Sequence, residues 1–417
     1  MADRFIVGLD IGSSKISAAL GILEKKRIVD ILVETIPFRG IRQGMLFDPI
    51  ELTAGLSTVL NNLGVKSGLA LKSVYANITG LDINFKHSRS IIPLAERGNK
   101  IITPSDIYKA RQQAHILGAS LEEEILEEFP FSYSIDSQAK IQNPLGLYSH
   151  KLELDLYMIC IKALSLNNLK RAISQAGYQC KGVFFSALAT AEAIWDEHLA
   201  KAKNVLICDI GADITELLHY SNGRLRAAKV LALGADRLTQ RLSQELKTSW
   251  EFAEELKRNH GSVGDYNNIP DDKTVLVKQN HSYKPIRQKD ISRILSVEAE
   301  AMCQVIKENI VQMTALAEID LFIISGGVSL LDGFIEFLET VLGIPVRLAR
   351  IGNQQILPLI PKDNTLCPPK CIPYLTALGV ICKAQAVREM VVFDTPLSNR
   401  FLTRIVNRVK QVYQEYF

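Results

Sequence analysis

Residues 4–20 read RFIVGLDIGSSKISAAL, which is two apolar runs separated by a short polar turn. The first run ends on the carboxylate of Asp10, and the second begins directly after the Gly-Ser-Ser-Lys turn. Apolar runs that flank a four-residue turn predict a β-hairpin with a polar tip. Taken alone, the stretch fits an ordinary exposed turn as well as it fits a loop that binds a ligand.

The predicted tip carries groups that suit a phosphate. Ser13 and Ser14 offer hydroxyl and backbone N–H donors, and Lys15 offers a point charge. Gly12 allows the backbone to come close to a ligand because it has no side chain. Beside a phosphate, Asp10 would act best as a ligand of Mg²⁺, through a water molecule.

A second element of the same kind begins at Asn204, in the stretch NVLICDIGADITELLHYSNGRLRAAKV. An apolar run again reaches an acid, Asp209, and Gly211, Ala212 and Asp213 follow it at the predicted tip. Two copies of a phosphate-binding hairpin predict two similar domains that face one cleft. The chain contains neither a Walker sequence nor a strand followed by G-x-G-x-x-G, so the P-loop and Rossmann classes are excluded.

Further ligand contacts are predicted from three other motifs. In IDLFIISGGVSLLDGFIEFLETVLGIPVRLA, the pattern predicts a strand, a tight turn and then a helix whose N-terminus favours an anion or a polar ligand edge. In LALGADRLTQRL, the Gly-Ala-Asp sequence opens a predicted amphipathic helix. In AEELKRNHG, Glu254 and Lys257 share one helical face, where they fit either a ribose contact or an ordinary solvated ion pair.

Composition limits the class of protein. The chain of 417 residues is long enough for two or more domains. Its 47% hydrophobic and 22% charged residues are an ordinary globular balance, and a net charge of +3 gives no basic field for nucleic acid. No apolar stretch is long enough for a spanning helix, and no signal peptide is expected. Seven scattered cysteines favour reduced thiols over a disulfide framework.

Together these motifs resemble those of the actin-like ATPases, and specifically of the bacterial FtsA family. VGLDIGSSK resembles the first phosphate loop of that family, CDIGAD the second, ISGGVSLLDG the adenosine loop and AEELKRNHG the ribose-contacting helix. The most specific stretch is FPFSYSIDSQAKIQNPLGLYSHKLELDLYMI, because its Y-x-I-D and NP-x-G core is similar to FtsA and is not a general actin-like feature. The resemblance covers essentially the whole chain.

The resemblance implies an α/β, actin-like duplicated ribonuclease H-like fold, with two lobes around a nucleotide cleft. A small inserted subdomain, called 1C in FtsA, replaces one subdomain of ordinary actin; within it, Thr103 is a predicted N-cap, Pro104 the first helical residue and HKLELDLYMICI a strand. The expected boundaries are 1–83, 164–202 and 365–390 for subdomain 1A, 84–163 for the insert, 203–235 and 300–364 for 2A, 236–299 for 2B, 391–398 for a linker and 399–417 for a C-terminal amphipathic helix.

The resemblance also implies a function. Such a protein binds ATP with Mg²⁺, forms actin-like filaments on the cytoplasmic face of the cell membrane at the division site, and binds the C-terminal peptide of the tubulin-like protein FtsZ. It thereby tethers the FtsZ ring to the membrane, and other division proteins are expected partners. Asp10 and Asp209 are the expected metal ligands. The expected nucleotide-binding residues are Asp10, Gly12, Ser13, Ser14, Lys15, Asp209, Gly211, Ala212, Asp213, Gly234, Ala235, Asp236, Glu254, Lys257, Gly326, Gly327 and Val328.

The second phosphate loop departs from the family pattern, D-I-G-G-G-T. Ala212 and Asp213 stand where the pattern has glycines, and Ile214 replaces the threonine. A carboxylate at Asp213 would repel a γ-phosphate unless it points away or shares the metal. The methyl group of Ala212 also leaves less room for a ligand to come close to the backbone. The altered loop therefore predicts ATP binding with weak or no hydrolysis.

Three other classes share parts of this pattern. A sugar or acetate kinase would need a catalytic aspartate in the cleft and a substrate-binding insert. A chaperone of the Hsp70 type would need a long substrate-binding domain. A PilM-like scaffold of a pilus or secretion machine shares the type of insert and would lack a C-terminal membrane helix, so the tail of the chain separates it from FtsA.

A basic segment, HSYKPIRQKDISRIL, is the candidate site for the FtsZ peptide. Capture of an acidic peptide requires basic residues in a groove, and this segment supplies Lys284, Arg287, Lys289 and Arg293 near a helix start. A solvated basic helix start fits the same residues.

The tail, TPLSNRFLTRIVNRVKQVYQEYF, predicts an amphipathic helix from about residue 399. A basic face beside an apolar stripe suits an anionic bilayer surface, to which each basic residue adds about 1 kcal/mol. A terminal helix packed on the protein's own core is the alternative. The residues expected at the membrane are Phe401, Leu402, Arg404, Ile405, Val406, Arg408, Val409, Val412 and Tyr413.

The tail gives a first prediction. The double substitution Ile405→Glu with Val409→Glu places two carboxylates in the apolar stripe, and we expect it to abolish binding to anionic vesicles while the fold stays intact. Co-sedimentation with liposomes, with circular dichroism as the folding control, measures both. A double mutant that still sediments with the liposomes would show that this helix is not the anchor.

Overall fold

The computed structural model describes residues 4–94, 98–136, 141–279, 282–361, 366–367 and 369–394, so the tail helix predicted above lies outside the described residues. The strands are β1 (Phe5–Ile11), β2 (Lys15–Glu24), β3 (Arg27–Pro37), β4 (Ile41–Arg42), β5 (Met45–Leu46), β6 (Ser73–Ile78), β7 (Ile83–Pro93), β8 (Lys100–Ile101), β9 (Glu123–Ile135), β10 (Tyr148–Ser149), β11 (Lys151–Lys162), β12 (Gln179–Phe185), β13 (Asn204–Ile210), β14 (Thr215–Ser221), β15 (Arg224–Leu231), β16 (Thr274–Gln279), β17 (Ser282–Arg287), β18 (Leu321–Ser325) and β19 (Val346–Leu348). The helices are α1 (Pro49–Ser67), α2 (Pro104–Gly118), α3 (Ala163–Gln175), α4 (Ser186–Ile194), α5 (Glu197–Lys201), α6 (Asp236–Leu246), α7 (Trp250–His260), α8 (Gln288–Met313), α9 (Phe334–Leu342) and α10 (Leu375–Asp394).

Two five-stranded sheets with the same topology form the centre of the protein. The first has the order β3-β2-β1-β6-β12 and the second the order β15-β14-β13-β18-β19. In each sheet, the first three strands pair antiparallel and the remaining pairs are parallel. The predicted duplication is therefore confirmed. β1 and β13 are almost continuously apolar because they are buried in the middle of their sheets.

Local sequence signals set several helix ends. Asp48 caps α1 by accepting hydrogen bonds from the backbone N–H groups of Ile50 and Glu51, and Gly68 ends the helix in the left-handed conformation. α2 begins at Pro104 after Thr103, as predicted, and the Asp106 carboxylate accepts hydrogen bonds from the backbone and the hydroxyl of Thr103.

A three-stranded sheet in the order β7-β11-β9 and helix α2 form the core of the inserted part, with their own cluster of buried apolar side chains. β11 confirms the predicted strand. The insert contacts both lobes: Glu127 accepts hydrogen bonds from the Phe185 backbone at the start of α4 and from Lys383 of α10. On the second lobe, the Tyr157 hydroxyl accepts a hydrogen bond from the Ala228 N–H of β15 (3.0 Å).

One predicted element is wrong. The helix does not start directly after the Gly326-Gly327 pair, because a short 3₁₀ helix at Gly327–Leu330 comes first and α9 begins only at Phe334. The Asp332 carbonyl accepts a hydrogen bond from Val263, and Gly333 takes the left-handed conformation against Val263 (φ 76°). This long-range contact separates the glycine turn from the helix.

Helix α10 crosses α4 at a point where only glycine fits, and it packs against β1, β2 and β6. A Cβ atom on Gly379 would lie 1.6 Å from the Ala189 carbonyl oxygen of α4.

Within the described residues, no helix is long and apolar enough to cross a membrane.

Substitution of this glycine tests the crossing. We expect Gly379→Ala to lower the free energy of unfolding by about 1–3 kcal/mol or more, because the added methyl group forces α4 and α10 apart. Thermal denaturation of the two proteins measures the change. Gly64→Ala in α1 is the matched control, since its Cβ would meet its nearest neighbour, the Leu69 carbonyl, at 3.3 Å. Equal effects of the two substitutions would contradict a close crossing.

Candidate functional site

A cavity of about 410 Å³ lies in the cleft between the two sheets, where β1 and β13 end. Most of the predicted nucleotide-binding residues come together around it, although they lie on distant parts of the chain. The predicted residues that line the cavity are Asp10, Gly12, Ser13, Ser14, Lys15, Asp209, Gly211, Ala212, Ala235, Asp236, Glu254, Lys257, Gly326, Gly327 and Val328.

The first phosphate hairpin is closed by a backbone hydrogen bond from the Gly12 N–H to the Lys15 carbonyl (3.0 Å). The Lys15 ammonium group turns inward. It donates hydrogen bonds to Asp10 (2.6 Å), to the Ser17 hydroxyl (3.1 Å) and to the Pro373 carbonyl (2.7 Å), just before α10. The tip is thus joined to the floor of the cleft and to the closing helix of the first lobe.

The second hairpin has the same backbone and different side chains. The Gly211 N–H donates to the Ile214 carbonyl (2.8 Å), which is the equivalent tip closure. Asp209 pairs across the hairpin with Glu216, as Asp10 pairs with Ser17 in the first copy. The second tip therefore has no counterpart of the lysine, and it has an additional acid beneath it.

The carboxylates at the floor of the cleft are buried. Asp10 accepts a hydrogen bond from the Asn77 amide (2.9 Å) and Asp209 accepts one from the Thr190 hydroxyl (3.1 Å). Burial raises the pKa of Asp209, and the nearby Asp10 charge adds to the increase. Burial likewise raises the pKa of Glu216 to about 8, although the Thr79 hydroxyl donates a hydrogen bond to this group (2.6 Å).

Two carboxylates of this floor, those of Asp10 and Asp209, offer oxygen atoms to a magnesium ion, although the described residues contain no group of three or more His, Cys, Asp or Glu side chains that could hold a metal ion. The Lys15 ammonium group pairs with Asp10 (2.6 Å) and its charge also acts on Asp209, so these two acids share one cation. The Ser325 hydroxyl is also buried here, beside Asp209 on the neighbouring strand, and its hydrogen bond opposes the increase in the pKa of Asp209. Hard oxygen donors are what Mg²⁺ prefers. Asp10 and Asp209 would hold the ion, which neutralises phosphate charge when bound.

The predicted ribose contact is a buried ion pair and not a solvated one. Lys257 is only 8% exposed, and its ammonium group lies 2.6 Å from Glu254. Glu254 also accepts hydrogen bonds from Thr239 and Arg258. Burial lowers the pKa of Lys257 despite this pairing, whereas Lys257 and the hydrogen bonds outweigh burial and lower the pKa of Glu254. The wall beside the cavity is therefore preorganised.

Two predicted residues do not line the cavity. The Asp213 carboxylate points to the first lobe, where it accepts a hydrogen bond from the Gln43 N–H (3.2 Å). Gly234 lies against the second tip, since a Cβ on it would be 2.0 Å from the Ala212 carbonyl oxygen. Of the two possibilities raised by the sequence for Asp213, this geometry matches a side chain that points away from the phosphate position.

Sequence reasoning missed several residues that line the cavity. One signal was available: Asn77 is a single polar residue near the end of a buried strand, which is the pattern that identified Asp10. Glu216 could have been found by aligning the two hairpins, because it occupies the position of Ser17. The missed polar residues are Arg39, Asn77, Thr79, Ser186, Glu216, Arg258, Ser325 and Thr376.

The predicted peptide-binding residues lie around the hairpin of β16 and β17 and the start of α8. Arg287 donates to Asp290 (2.8 Å) and Lys289 donates to Asp271 (2.8 Å), so both are paired at the surface. Arg293 is exposed on α8. The side chain of Lys284 lies outside the described residues.

Two copies of one sheet around a cleft, each with a glycine-tipped hairpin at the floor, define an actin-like fold. Solved structures agree. The PilM–PilN type IV pilus biogenesis complex has a TM-score of 0.60 at 15% identity, over 92% of this chain and 98% of that one. MreB 5 of Spiroplasma citri bound to AMPPNP has a TM-score of 0.55 at 11% identity, over 95% and 100%.

The chain belongs to the FtsA family of cell division proteins. The family model "Cell division protein FtsA" matches residues 206–372, and the model "SHS2 domain inserted in FTSA" matches residues 80–160, together more than half of the chain. FtsA of Neisseria meningitidis is 24% identical over 348 residues, 82% of this chain and 83% of that protein. FtsA of Bacillus subtilis is 24% identical over 349 residues, 83% and 79%.

The buried acid in the second lobe gives a prediction about pH. Because folding raises the pKa of Glu216 from 4.5 to about 8, the folded protein holds a proton that the unfolded chain releases between these values, and stability falls as the pH rises through this window. Glu216→Gln cannot ionise, so in Mg²⁺-free buffer we expect it to raise the melting temperature more at about pH 8 than at about pH 5. Thermal scans across this range measure the difference. A gain that does not change with pH would contradict the assignment.

Proposed function

We propose that the cleft binds ATP with Mg²⁺. The observation that carries the proposal is the convergence of two tip-closed hairpins, from sheets of identical topology, on one cavity lined by Asp10 and Asp209. Backbone N–H groups at both tips offer donors to the phosphates. The buried Glu254–Lys257 pair forms the wall where the ribose would lie. The AMPPNP named for the MreB structure is a property of that protein and supports the proposal only by analogy.

We infer that hydrolysis is weak or absent. The second tip offers no lysine, and Ala212 and Asp213 replace two glycines of the family pattern. The Asp213 carboxylate is turned toward Gln43, which reduces its repulsion of a terminal phosphate and thus permits binding. Glu216 lies beneath this tip and adds a further acid to the site. ATP in this protein then acts to fix the arrangement of the two lobes.

The family membership supports a role in cell division. We propose that the protein forms filaments on the cytoplasmic face of the cell membrane, that its C-terminal tail binds the membrane, and that it tethers FtsZ there. The outer part, residues 236–299, is the proposed binding site for the FtsZ peptide, and the insert, residues 84–163, is the proposed contact between protomers. The remaining subdomains, 1A and 2A, carry the two nucleotide hairpins.

A PilM-like scaffold is the second candidate, because the PilM–PilN complex has the same fold over nearly the whole chain. The two candidate functions differ in whether the C-terminal tail binds a membrane and in which protein is the partner. Binding of anionic vesicles that depends on residues 399–417 supports the FtsA role.

The nucleotide proposal has a direct test. We expect Mg-ATP to bind the wild-type protein in isothermal titration calorimetry. Lys15→Met should weaken that binding about tenfold or more, because it leaves the Asp10 carboxylate without its counter-charge at the floor of the cleft, where that charge would repel the phosphates. Lys66→Met is the matched control, since Lys66 lies on α1 beside Glu34 and away from the cavity. An absence of wild-type binding would refute the proposal, and an unchanged affinity in Lys15→Met would remove Lys15 from the site.

A further inference from the structure

We propose that Arg39 is the residue that recognises the terminal phosphate of the nucleotide, so that it makes the cleft prefer a nucleoside triphosphate to a diphosphate. The inference rests on the proposed nucleotide site and adds to it a residue that no sequence motif identified. Arg39 lies just after β3, in the connection to α1, and it lines the cavity.

The charges of the cavity lead to Arg39 by elimination. Among the described residues, four cationic side chains line it, and three of them are paired with carboxylates: Lys15 with Asp10, and both Lys257 and Arg258 with Glu254. The nitrogen–oxygen distance is 2.6 Å in each of these three ion pairs. The guanidinium group of Arg39 has no carboxylate within ion-pair distance in the part of the chain that the structure describes, and the Glu51 carboxylate accepts a hydrogen bond from the Arg39 backbone N–H (3.4 Å).

The guanidinium group of Arg39 is directed across the mouth of the cleft. It lies over the ring of Trp250, at the start of α7 in the second lobe, 5.1 Å from the ring centroid. A cation held only by an aromatic face at an accessible site is weakly bound compared with a cation in a charge-assisted hydrogen bond. A phosphate in the cavity would therefore draw Arg39 away from the ring.

The segment that carries Arg39, residues 38–48, touches both phosphate hairpins. The Phe38 N–H donates to the Ser14 carbonyl of the first tip (3.1 Å), and the Gln43 N–H donates to the Asp213 carboxylate of the second (3.2 Å). In the proposed site the phosphates lie between the two tips. Asp236, on which the charge of Arg39 acts, lies beside the second tip, because its N–H donates to the Ala212 carbonyl (2.9 Å). A segment that joins the tips therefore passes beside the phosphates, and the terminal phosphate is the one proposed for Arg39.

The backbone of this segment is fixed, so that only the Arg39 side chain has to move. Phe38 is buried, and a Cβ on Gly40 would lie 2.7 Å from the Phe38 ring. Gly44 has a φ of 79° and packs so closely on Gly80 that a Cβ there would lie 2.1 Å from the Gly80 Cα. A fixed backbone places the guanidinium group reproducibly at the mouth of the cleft.

The charge of Arg39 also opposes the negative charge that Asp213 adds to the altered second loop. Burial raises the pKa of Asp236 to about 6 and the Asp213 charge adds to this increase, whereas the charges of Lys257 and Arg39 oppose it. Arg39 and Asp213 thus act on the same corner of the cleft with opposite sign. The positive charge of Arg39 would therefore offset the repulsion between a terminal phosphate and the carboxylate of Asp213, which stands where the family pattern has a glycine.

The test is the affinity of full-length wild type and variants for Mg-ATP and Mg-ADP, measured by isothermal titration calorimetry. For Arg39→Gln we expect a loss of ATP affinity of about tenfold or more, the effect of one charge-assisted contact, and a change of less than about twofold for ADP. Arg42→Gln is the matched control. It lies on the same segment and also covers an aromatic ring, that of Phe47 (4.8 Å), but it does not line the cavity. It should keep both affinities.

Trp250→Leu removes the aromatic face and so tests whether Arg39 binds phosphate or only links the two lobes through Trp250. If Arg39 binds phosphate, Trp250→Leu keeps the preference for ATP. In a Trp195→Phe background, where Trp250 is the remaining tryptophan of the two in the chain, ATP should change the emission more than ADP does.

Three results would overturn the inference. Equal losses of ATP and ADP affinity in Arg39→Gln would show that Arg39 does not read the terminal phosphate. A Trp250→Leu variant with the same loss of ATP affinity as Arg39→Gln would show that the Arg39–Trp250 pair only links the two lobes. A wild-type protein that binds neither nucleotide would overturn the proposed function, and this inference with it, whereas the first two results leave nucleotide binding in place.

Discussion

The buried carboxylate of Asp10 is the constraint on which the rest of the cleft depends. A charge taken out of water is tolerated only when it is paired and hydrogen-bonded. Lys15 supplies the charge from the hairpin tip, and Asn77 supplies a hydrogen bond from β6. Because Lys15 also binds the Pro373 carbonyl, the same pairing fixes where α10 begins. One acid thus positions the phosphate tip, a neighbouring strand and the closing helix together.

The duplication reproduces the backbone and changes the chemistry. Both hairpins close with the same tip hydrogen bond, yet Lys15 corresponds to Ile214 and Ser17 corresponds to Glu216. The first copy therefore pairs its acid with a cation, whereas the second has two buried acids, Asp209 and Glu216, whose pKa values are raised. In the proposed nucleotide site, the cation of the hairpin tips thus comes from the first lobe.

Hydrogen bonds across the cleft link this site to the rest of the protein. Thr79 reaches Glu216, Thr190 reaches Asp209, and Gln43 reaches Asp213, each from the first lobe to the second. The insert holds both lobes as well, since Tyr157 accepts a hydrogen bond from β15. A change in the angle between the lobes must therefore also change the contacts of the insert.

The sequence by itself determined what depends on neighbours along the chain. The two hairpins, the Thr103 cap of α2, strand β11 and the start of α6 all follow from short patterns, because turn chemistry and strand periodicity act locally. The repeat of Asp-Ile-Gly also indicated the cleft and the two hairpin tips that line it. Only the tertiary structure decided the rest. The 3₁₀ helix after Gly326, the direction of Asp213, the burial of Glu254 and Lys257 and the place of Arg39 depend on partners such as Val263, Gln43, Thr239 and Trp250. These partners are distant in sequence, so no local pattern could specify the contacts.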